Sequence, residues 1–170
     1  RRLIYEEGTR PDSIAFSGDG RVFATGYWNG KVIIWDVSTG ARLRDLDGDG
    51  RIMKLRFSSD GIRLLATSSA DPGPSLWDVE NGKRIATIDP SQGEALRSVE
   101  FSTDGSRILV KDGRRNRHPI RREPDLGVAA MWSAATGERL TQFDDGTGQT
   151  LSAAQSPDGM QVVTVSVDGK

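Results

Sequence analysis

One short phrase occurs four times along this chain, and its repetition constrains the fold more than any other feature. The phrase reads FSGDG at residues 16–20, FSSDG at 57–61, FSTDG at 101–105 and QSPDG at 155–159, so successive copies begin 41, 44 and 54 residues apart. Self-similarity at an interval of this length is typical of repeat architectures. We therefore interpret the 170-residue chain as an array of similar units.

A second phrase keeps step with the first and carries a tryptophan. It ends in Trp35-Asp36 in the first unit, Trp77-Asp78 in the second and Trp132-Ser133 in the third. A Thr-Gly or Asn-Gly pair follows each of them, at residues 39–40, 81–82 and 136–137. Such pairs mark tight turns. Each unit therefore contains two turn signals and one tryptophan.

The spacing of these signals predicts four short strands in each unit, joined by Asp-Gly or Asn-Gly hairpin turns in which glycine supplies a positive φ. No window between turns is long enough for a helix with a 3.6-residue period. The segment Val32–Trp35 is apolar on both faces, so its sheet must be covered on both sides. Sheets that stack face to face meet this requirement.

Composition excludes several functional classes. The chain has no Cys and a single His, which removes disulfides, thiolate nucleophiles and Cys/His zinc sites. Its net charge is −1, with 35% hydrophobic and 28% charged residues, so a globular chain that does not bind nucleic acid is expected. No segment has the length of a membrane span, and the N-terminal residues do not resemble a signal peptide. We therefore expect no membrane association and a cytoplasmic location.

These linked motifs resemble those of the WD-repeat (WD40-type) family of β-propellers, which has a period of about 40–45 residues and a Trp-Asp signature. The resemblance implies an all-β fold, a β-propeller built of four-stranded antiparallel blades, with three full blades plus parts of adjoining blades. We predict one partial propeller over residues 1–170. Its blades cover approximately 11–46, 50–88 and 94–143, with an incomplete blade at 148–170 and the outer strand of a preceding blade at 1–7. The rest of the propeller is expected outside this segment, in a longer protein.

The chain also departs from the family pattern. Gly48, Gln92 and Gly146 stand where the family's Gly-His dipeptide has its His, so the His-centred hydrogen-bond network of the family cannot form here. Ser133 replaces the signature Asp of the third unit. We expect the third blade to be less regular for that reason.

The resemblance places the turn after the second strand of each blade on the top face, where partners commonly bind. Trp28, next to Tyr27, occupies this turn in the first unit, and the equivalent positions are Ala70, Asp125 and Val167. An exposed tryptophan is either a binding anchor or a residue that packs on the neighbouring blade. We predict a surface for a protein or peptide partner that includes all five residues.

A basic insertion at residues 111–125 interrupts the third blade. Its residues Arg115, Arg117, Arg121 and Arg122 are suited to bidentate contacts with an acidic peptide or a phosphorylated segment. The alternative is an unspecialised, solvated loop insertion.

Asp45, Asp47 and Asp49 match the start of a calcium loop, D-x-D-x-D-G. The twelfth position, where an EF-hand requires Glu, is Arg56, and no helix follows. We therefore predict an ordinary polar turn and no metal.

We predict a non-catalytic scaffold without a cofactor, because the only His, His118, lies in the insertion. Three alternatives remain open at this point. The chain could be the regulatory or substrate-recruiting propeller of a larger bacterial enzyme such as a kinase or protease fusion, a calcium-stabilised extracellular propeller, or a spacer.

Overall fold

The computed structural model describes residues 11–71, 73–89, 95–113, 128–143, 150–156 and 158–166. These residues form fourteen β-strands and no helix, so they contain no helix that could cross a membrane. The strands are β1 (Pro11–Phe16), β2 (Val22–Tyr27), β3 (Lys31–Asp36), β4 (Arg42–Asp47), β5 (Ile52–Phe57), β6 (Arg63–Ser68), β7 (Ser75–Asp78), β8 (Arg84–Thr87), β9 (Ala95–Phe101), β10 (Arg107–Gly113), β11 (Ala129–Ser133), β12 (Arg139–Phe143), β13 (Thr150–Gln155) and β14 (Val162–Ser166).

The strands pair in chain order into antiparallel sheets. Blade 1 contains β1 to β4, blade 2 contains β5 to β8, and blade 3 contains β9 to β12, while β13 and β14 form a two-stranded hairpin. The tryptophan strand is the third strand of each blade. The predicted all-β fold class, with four-stranded antiparallel blades and part of an adjoining one, is confirmed.

The chain divides into two compact units, Arg1–Ile88 and Asp89–Lys170. The first contains blades 1 and 2, and the second contains blade 3 and the hairpin. That residues 1–170 form one partial propeller stays a prediction. The outer strand predicted at 1–7 and residues 114–125 of the insertion lie outside the described residues.

Face-to-face packing of blades 1 and 2 creates the core of the first unit. The cluster takes four buried residues from blade 1 and five from blade 2, namely Ala24, Val32, Ile34, Leu46, Ile52, Leu55, Leu64, Ala66 and Trp77. The sheets approach so closely at Gly26 that a Cβ there would lie 2.4 Å from Ile52 Cγ2. The opposite face of blade 1 buries Phe23, Ile33 and Trp35. Both faces of β3 are therefore covered, as its apolar sequence predicts.

The second unit is built in the same way. Leu109, Ala129 and Met131 of blade 3 form its core, against which Ala153 and Val162 of the hairpin pack. Arg107 adds a polar link, because its Nη1 donates to the Gly159 carbonyl at 2.8 Å.

The phrase that repeats four times is explained by one hydrogen-bonded turn. In each copy the Ser hydroxyl donates to the Asp two residues later, at 2.5–2.7 Å, and accepts from the amide five residues later, at 2.9–3.2 Å. The Asp also accepts from the amide two residues further on. The following Gly has φ between 67° and 72°, a conformation that glycine adopts without steric cost.

These bonds favour the charged form of the Asp side chain. Donation from the Ser102 and Ser106 hydroxyls and the Ser106 amide lowers the pKa of Asp104 to about 2. The pKa of Asp19 and that of Asp158 are lowered chiefly by donation from Ser17 and Ser156 respectively.

The Asp that follows the tryptophan closes the other turn of the unit. Asp36 accepts from the Ser38 hydroxyl and the Thr39 amide, both at 2.7 Å, and Asp78 accepts from the Asn81 amide at 2.8 Å. In blade 3 the Ser133 hydroxyl oxygen accepts from the Thr136 amide at 3.2 Å. The backbone bond across this turn is kept, with Gly137 donating to the Ser133 carbonyl at 2.8 Å. The expectation that Ser133 would make this part of blade 3 less regular is therefore wrong, because a hydroxyl replaces the carboxylate as acceptor.

The three tryptophans differ in how their indole N–H groups are satisfied. Trp35 Nε1 donates to Thr25 Oγ1 at 2.8 Å. The indole nitrogens of Trp77 and Trp132 are buried without a hydrogen-bond partner. Registered pairing places Ala66 and Val110 where blade 1 has Thr25, so neither blade has a hydroxyl at that position.

Replacement of Ser58 by Ala tests the repeated turn. We expect Ser58→Ala to lower the free energy of unfolding by about 1 to 3 kcal/mol, because the Arg63 amide and Asp60 both lose a partner inside a buried turn. The neighbouring Ser59 is exposed, so Ser59→Ala should change stability by less than about 0.5 kcal/mol. Urea unfolding followed by tryptophan fluorescence measures both. Equal effects of the two substitutions would contradict the role given to Ser58.

The Asp36 turn predicts a dependence of stability on pH. Hydrogen bonds, first from the Ser38 hydroxyl, lower the pKa of Asp36 from 3.8 to about 2 in the folded chain. Its contribution to stability is therefore complete above about pH 4 and disappears as the pH falls toward 2. We expect the melting temperature of Asp36→Asn to fall less than that of the wild type between those values. Parallel melting curves for the two proteins would exclude the contribution.

Candidate partner-binding site

The turn between β2 and β3 holds Trp28 in a defined position. The Gly30 amide donates to the Tyr27 carbonyl at 3.2 Å, and Asn29 Oδ1 accepts from the Lys31 amide at 3.2 Å. Gly30 has φ 89°, a value that other residues rarely adopt. Trp28 is 61% exposed. The indole is thus presented to solvent on a closed, hydrogen-bonded turn.

Tyr27 is fully buried, so the prediction that it contacts a partner is wrong. Its hydroxyl accepts from Thr25 Oγ1 at 3.2 Å, and Thr25 in turn accepts from Trp35 Nε1. The cause is the alternation of side chains along a strand. Tyr27 ends β2 on its inner face, whereas Trp28 begins the turn and points outward.

Arg51 braces the exposed indole. The central carbon of its guanidinium lies 4.6 Å from the Trp28 ring centroid, within the range of a cation–π contact. Asp12 accepts two hydrogen bonds from the same guanidinium, from Nε at 3.0 Å and from Nη2 at 3.2 Å. The three side chains connect the start of blade 1, its β2–β3 turn and the start of blade 2.

A β-bulge places Asp12 for this contact. The pairing of β1 with β2 changes register between Pro11 and Ser13, which leaves Asp12 as the extra residue. Bulges redirect the side chain of the inserted residue. The other inner strands change register at the corresponding place, but of the described bulges only that of blade 1 contains a carboxylate.

The β4–β5 connection joins Trp28 to the second predicted position, Ala70. The Gly48 amide donates to the Gly30 carbonyl at 3.2 Å. A Cβ on Gly50 would lie 2.7 Å from Ala70 Cβ, so the connection packs directly on the β6–β7 turn. Arg51 and Ser69 exchange two hydrogen bonds at 3.0 Å, one of them to the Ser69 hydroxyl. Trp28 and the exposed Ala70 therefore lie on the same edge of the first unit.

Arg84 fills the space below this edge. Its guanidinium lies over Trp77, 4.9 Å from the ring centroid, and Nη2 is 3.7 Å from a carboxylate oxygen of Asp49 and of Asp71. Asp71 also accepts from the Ser75 hydroxyl at 2.7 Å. The β4–β5 connection and the β6–β7 turn are thus attached to the body of blade 2.

The carboxylates of the calcium-like sequence are arranged as in a strand. Asp45 and Asp47 belong to β4, and Asp45 is paired with Arg42 and with Lys31, whose Nζ is 3.5 Å away. The Arg42 guanidinium, by donating to Asp45, holds the pKa of that carboxyl below its ordinary value. In the described part of the chain no three carboxylate or imidazole groups are placed to hold a metal ion.

The remaining predicted site residues lie outside the described residues. These are the turn positions Asp125 and Val167 and the arginines of the insertion, Arg115, Arg117, Arg121 and Arg122.

Sequence reasoning missed Asp12 and Arg51. Arg51 directly follows an Asp-Gly turn, and Asp12 is separated from it by 39 residues. Only the predicted face-to-face packing of two units could have suggested that the starts of β1 and β5 lie side by side.

The chain is similar to known proteins over nearly its whole length. The family model "WD domain, G-beta repeat" matches residues 9–36. The WD repeat-containing protein RUP1 of Arabidopsis thaliana is 32% identical over 167 residues, which cover 94% of this chain and 38% of that protein. Pre-mRNA-processing factor 19 of Oryza sativa subsp. japonica is 35% identical over 100 residues, covering 58% of this chain and 19% of the relative. The chain thus spans less than two fifths of the length of either protein.

A solved structure agrees with the blade assignment. The β-propeller domain of Cps50 (Swd1) from Myceliophteria thermophila superimposes with a TM-score of 0.67 over 99% of this chain and 53% of that domain, at 16% sequence identity. At this identity the likeness concerns the fold. Repeated motifs, four-stranded antiparallel sheets, the family-model match and the related sequences agree, and the chain belongs to the WD-repeat family, with sheets that are blades of the β-propeller type.

Proposed function

We propose that this chain is a non-catalytic WD-repeat scaffold that presents a rigid surface to a protein or peptide partner. The observation that carries the proposal is Trp28. Its ring is 61% exposed, yet it is fixed by a closed turn and by the guanidinium of Arg51. A large apolar ring held in water without local disorder is a costly arrangement unless a partner covers it.

The energetic reason lies in preorganisation. Binding surfaces lose affinity when side chains and loops must be ordered on contact, at about 0.5 to 1.5 kcal/mol for each flexible side chain. Here the turn bond, the bulged Asp12 and the Arg51 stack order the ring in advance. Tryptophan and arginine are also the residue types that contribute most at protein interfaces.

The proposal extends to the residues that remain predictions. Ala70 lies beside the Trp28 turn, while Asp125, Val167 and the arginines of the insertion complete the proposed surface by analogy between units. A partner that contacts several blades would explain why the exposed positions differ among units that are otherwise alike.

The non-catalytic part of the proposal is supported by the chemistry of the side chains. The described residues contain no cluster of three or more His, Cys, Asp or Glu side chains suited to a metal. The charged carboxylates described above are engaged in turns and ion pairs. Because the chain spans only part of its relatives, the activity of a whole protein and the cytoplasmic location stay predictions.

Affinity capture with the full chain tests the proposal. We expect partners retained by the wild type to be lost, or reduced by about tenfold, with Trp28→Ala, since truncation of a central tryptophan removes a large share of binding energy. Ile62→Ala is the matched control, because Ile62 is also an exposed apolar residue but lies at a Ser-x-Asp-Gly turn. Equal retention by both variants would place the partner surface elsewhere.

The brace on the indole can be measured without a partner. We expect Arg51→Ala to lower the NMR order parameter of the Trp28 indole N–H, because the ring loses its stacking group. Asp12→Ala should have a smaller effect in the same direction, since it releases Arg51. Arg56→Ala, an exposed arginine on the same strand as the start of the contact, serves as the control. An unchanged order parameter in Arg51→Ala would contradict preorganisation by the stack.

A further inference from the structure

The charges around Trp28 are arranged asymmetrically. The three cations next to the turn are partly buried or engaged. Lys31 is 28% exposed and faces Asp45, Arg84 is 29% exposed and lies between Asp49 and Asp71, and Arg51 is held by Asp12.

The carboxylates at the outer edge show the opposite behaviour. Asp49 is 75% exposed and has only the distant guanidinium of Arg84, at 3.7 Å. Asp47 is also exposed, at the end of β4, where it pairs in register with Lys31. Both carboxylates flank Gly48, whose amide is bonded to the Gly30 carbonyl of the Trp28 turn. The charge that this edge offers to a partner is therefore negative.

The indole has one open side. Arg51 lies over one face of the Trp28 ring, and the ring is still 61% exposed. Asp12 neutralises Arg51 through two hydrogen bonds. The stack therefore supports the ring without making its surroundings positive, and the negative face of the ring system remains available for a second cation.

We propose that the partner of this surface is a basic peptide segment, in which a Lys or Arg side chain lies on the open face of Trp28 and a neighbouring positive charge faces Asp47 and Asp49. This inference rests on the proposed function and specifies the chemistry of the partner. An aromatic ring attracts the cation through its quadrupole, and the two carboxylates contribute charge complementarity, which governs specificity and association rate. The proposal concerns Trp28 and its carboxylates and is separate from the acidic partner considered for the arginines of the insertion.

The test uses the full chain and a library of short synthetic peptides of random sequence. We expect retained peptides to carry Lys or Arg at a fixed position, and their affinity, measured by fluorescence anisotropy, to fall with added salt. Trp28→Ala should weaken these peptides by about tenfold, and Asp47→Asn and Asp49→Asn each by about threefold. Glu80→Gln is the matched charge control, because it removes one exposed carboxylate from the β7–β8 turn and should leave affinity unchanged.

The outcomes separate this inference from the function on which it rests. Peptides that depend on Trp28 but are acidic, phosphorylated or purely apolar would overturn the basic partner and leave the binding surface standing. Basic peptides bound equally well by Trp28→Ala and by Glu80→Gln would also overturn it, since attraction would then be non-specific. If no retained peptide depends on Trp28, both the partner chemistry and the proposed surface are wrong.

Discussion

Face-to-face packing of one four-stranded sheet on the next is the constraint on which the rest of the structure depends. A sheet with apolar residues on both sides cannot remain in water, and blades 1 and 2 bury these faces in one shared cluster. The contact at Gly26 shows how little space separates them. Because the inner strands β1 and β5 are brought together in this way, residues 39 positions apart, Asp12 and Arg51, can meet beneath an exposed ring. The binding edge is a product of the core.

The strands and turns could be predicted from the sequence because they are encoded locally. Each Ser-x-Asp-Gly copy closes its own turn with bonds between residues at most five positions apart, and each tryptophan strand is an unbroken apolar run. The bulges could not be predicted, since an extra residue in a strand changes no composition or period. The Ser133 expectation failed for a related reason. The family signature names a carboxylate, but the turn requires only an oxygen acceptor, which a hydroxyl supplies.

The candidate site was predictable in part. Trp28 stood out because a tryptophan in a turn is unusual, and its exposure agrees with that interpretation. Its neighbour Tyr27 was assigned to the same surface because adjacency in sequence was taken for adjacency on the surface, whereas consecutive side chains at the end of a strand point to opposite sides. The supporting pair of Arg51 and Asp12 depends on the spacing between blades and on a register shift, and both are properties of the assembled sheets.

The uneven treatment of the three core tryptophans has a consequence for how the array would come apart. In blade 1 the indole proton of Trp35 enters a relay through Thr25 to Tyr27, whereas those of Trp77 and Trp132 end in apolar surroundings. An uncompensated donor costs free energy that opening the blade recovers. Modules that look interchangeable in their letters are therefore graded in strength. The module that displays Trp28 is the one with the fully satisfied interior, so recognition is mounted on the segment least prone to local melting.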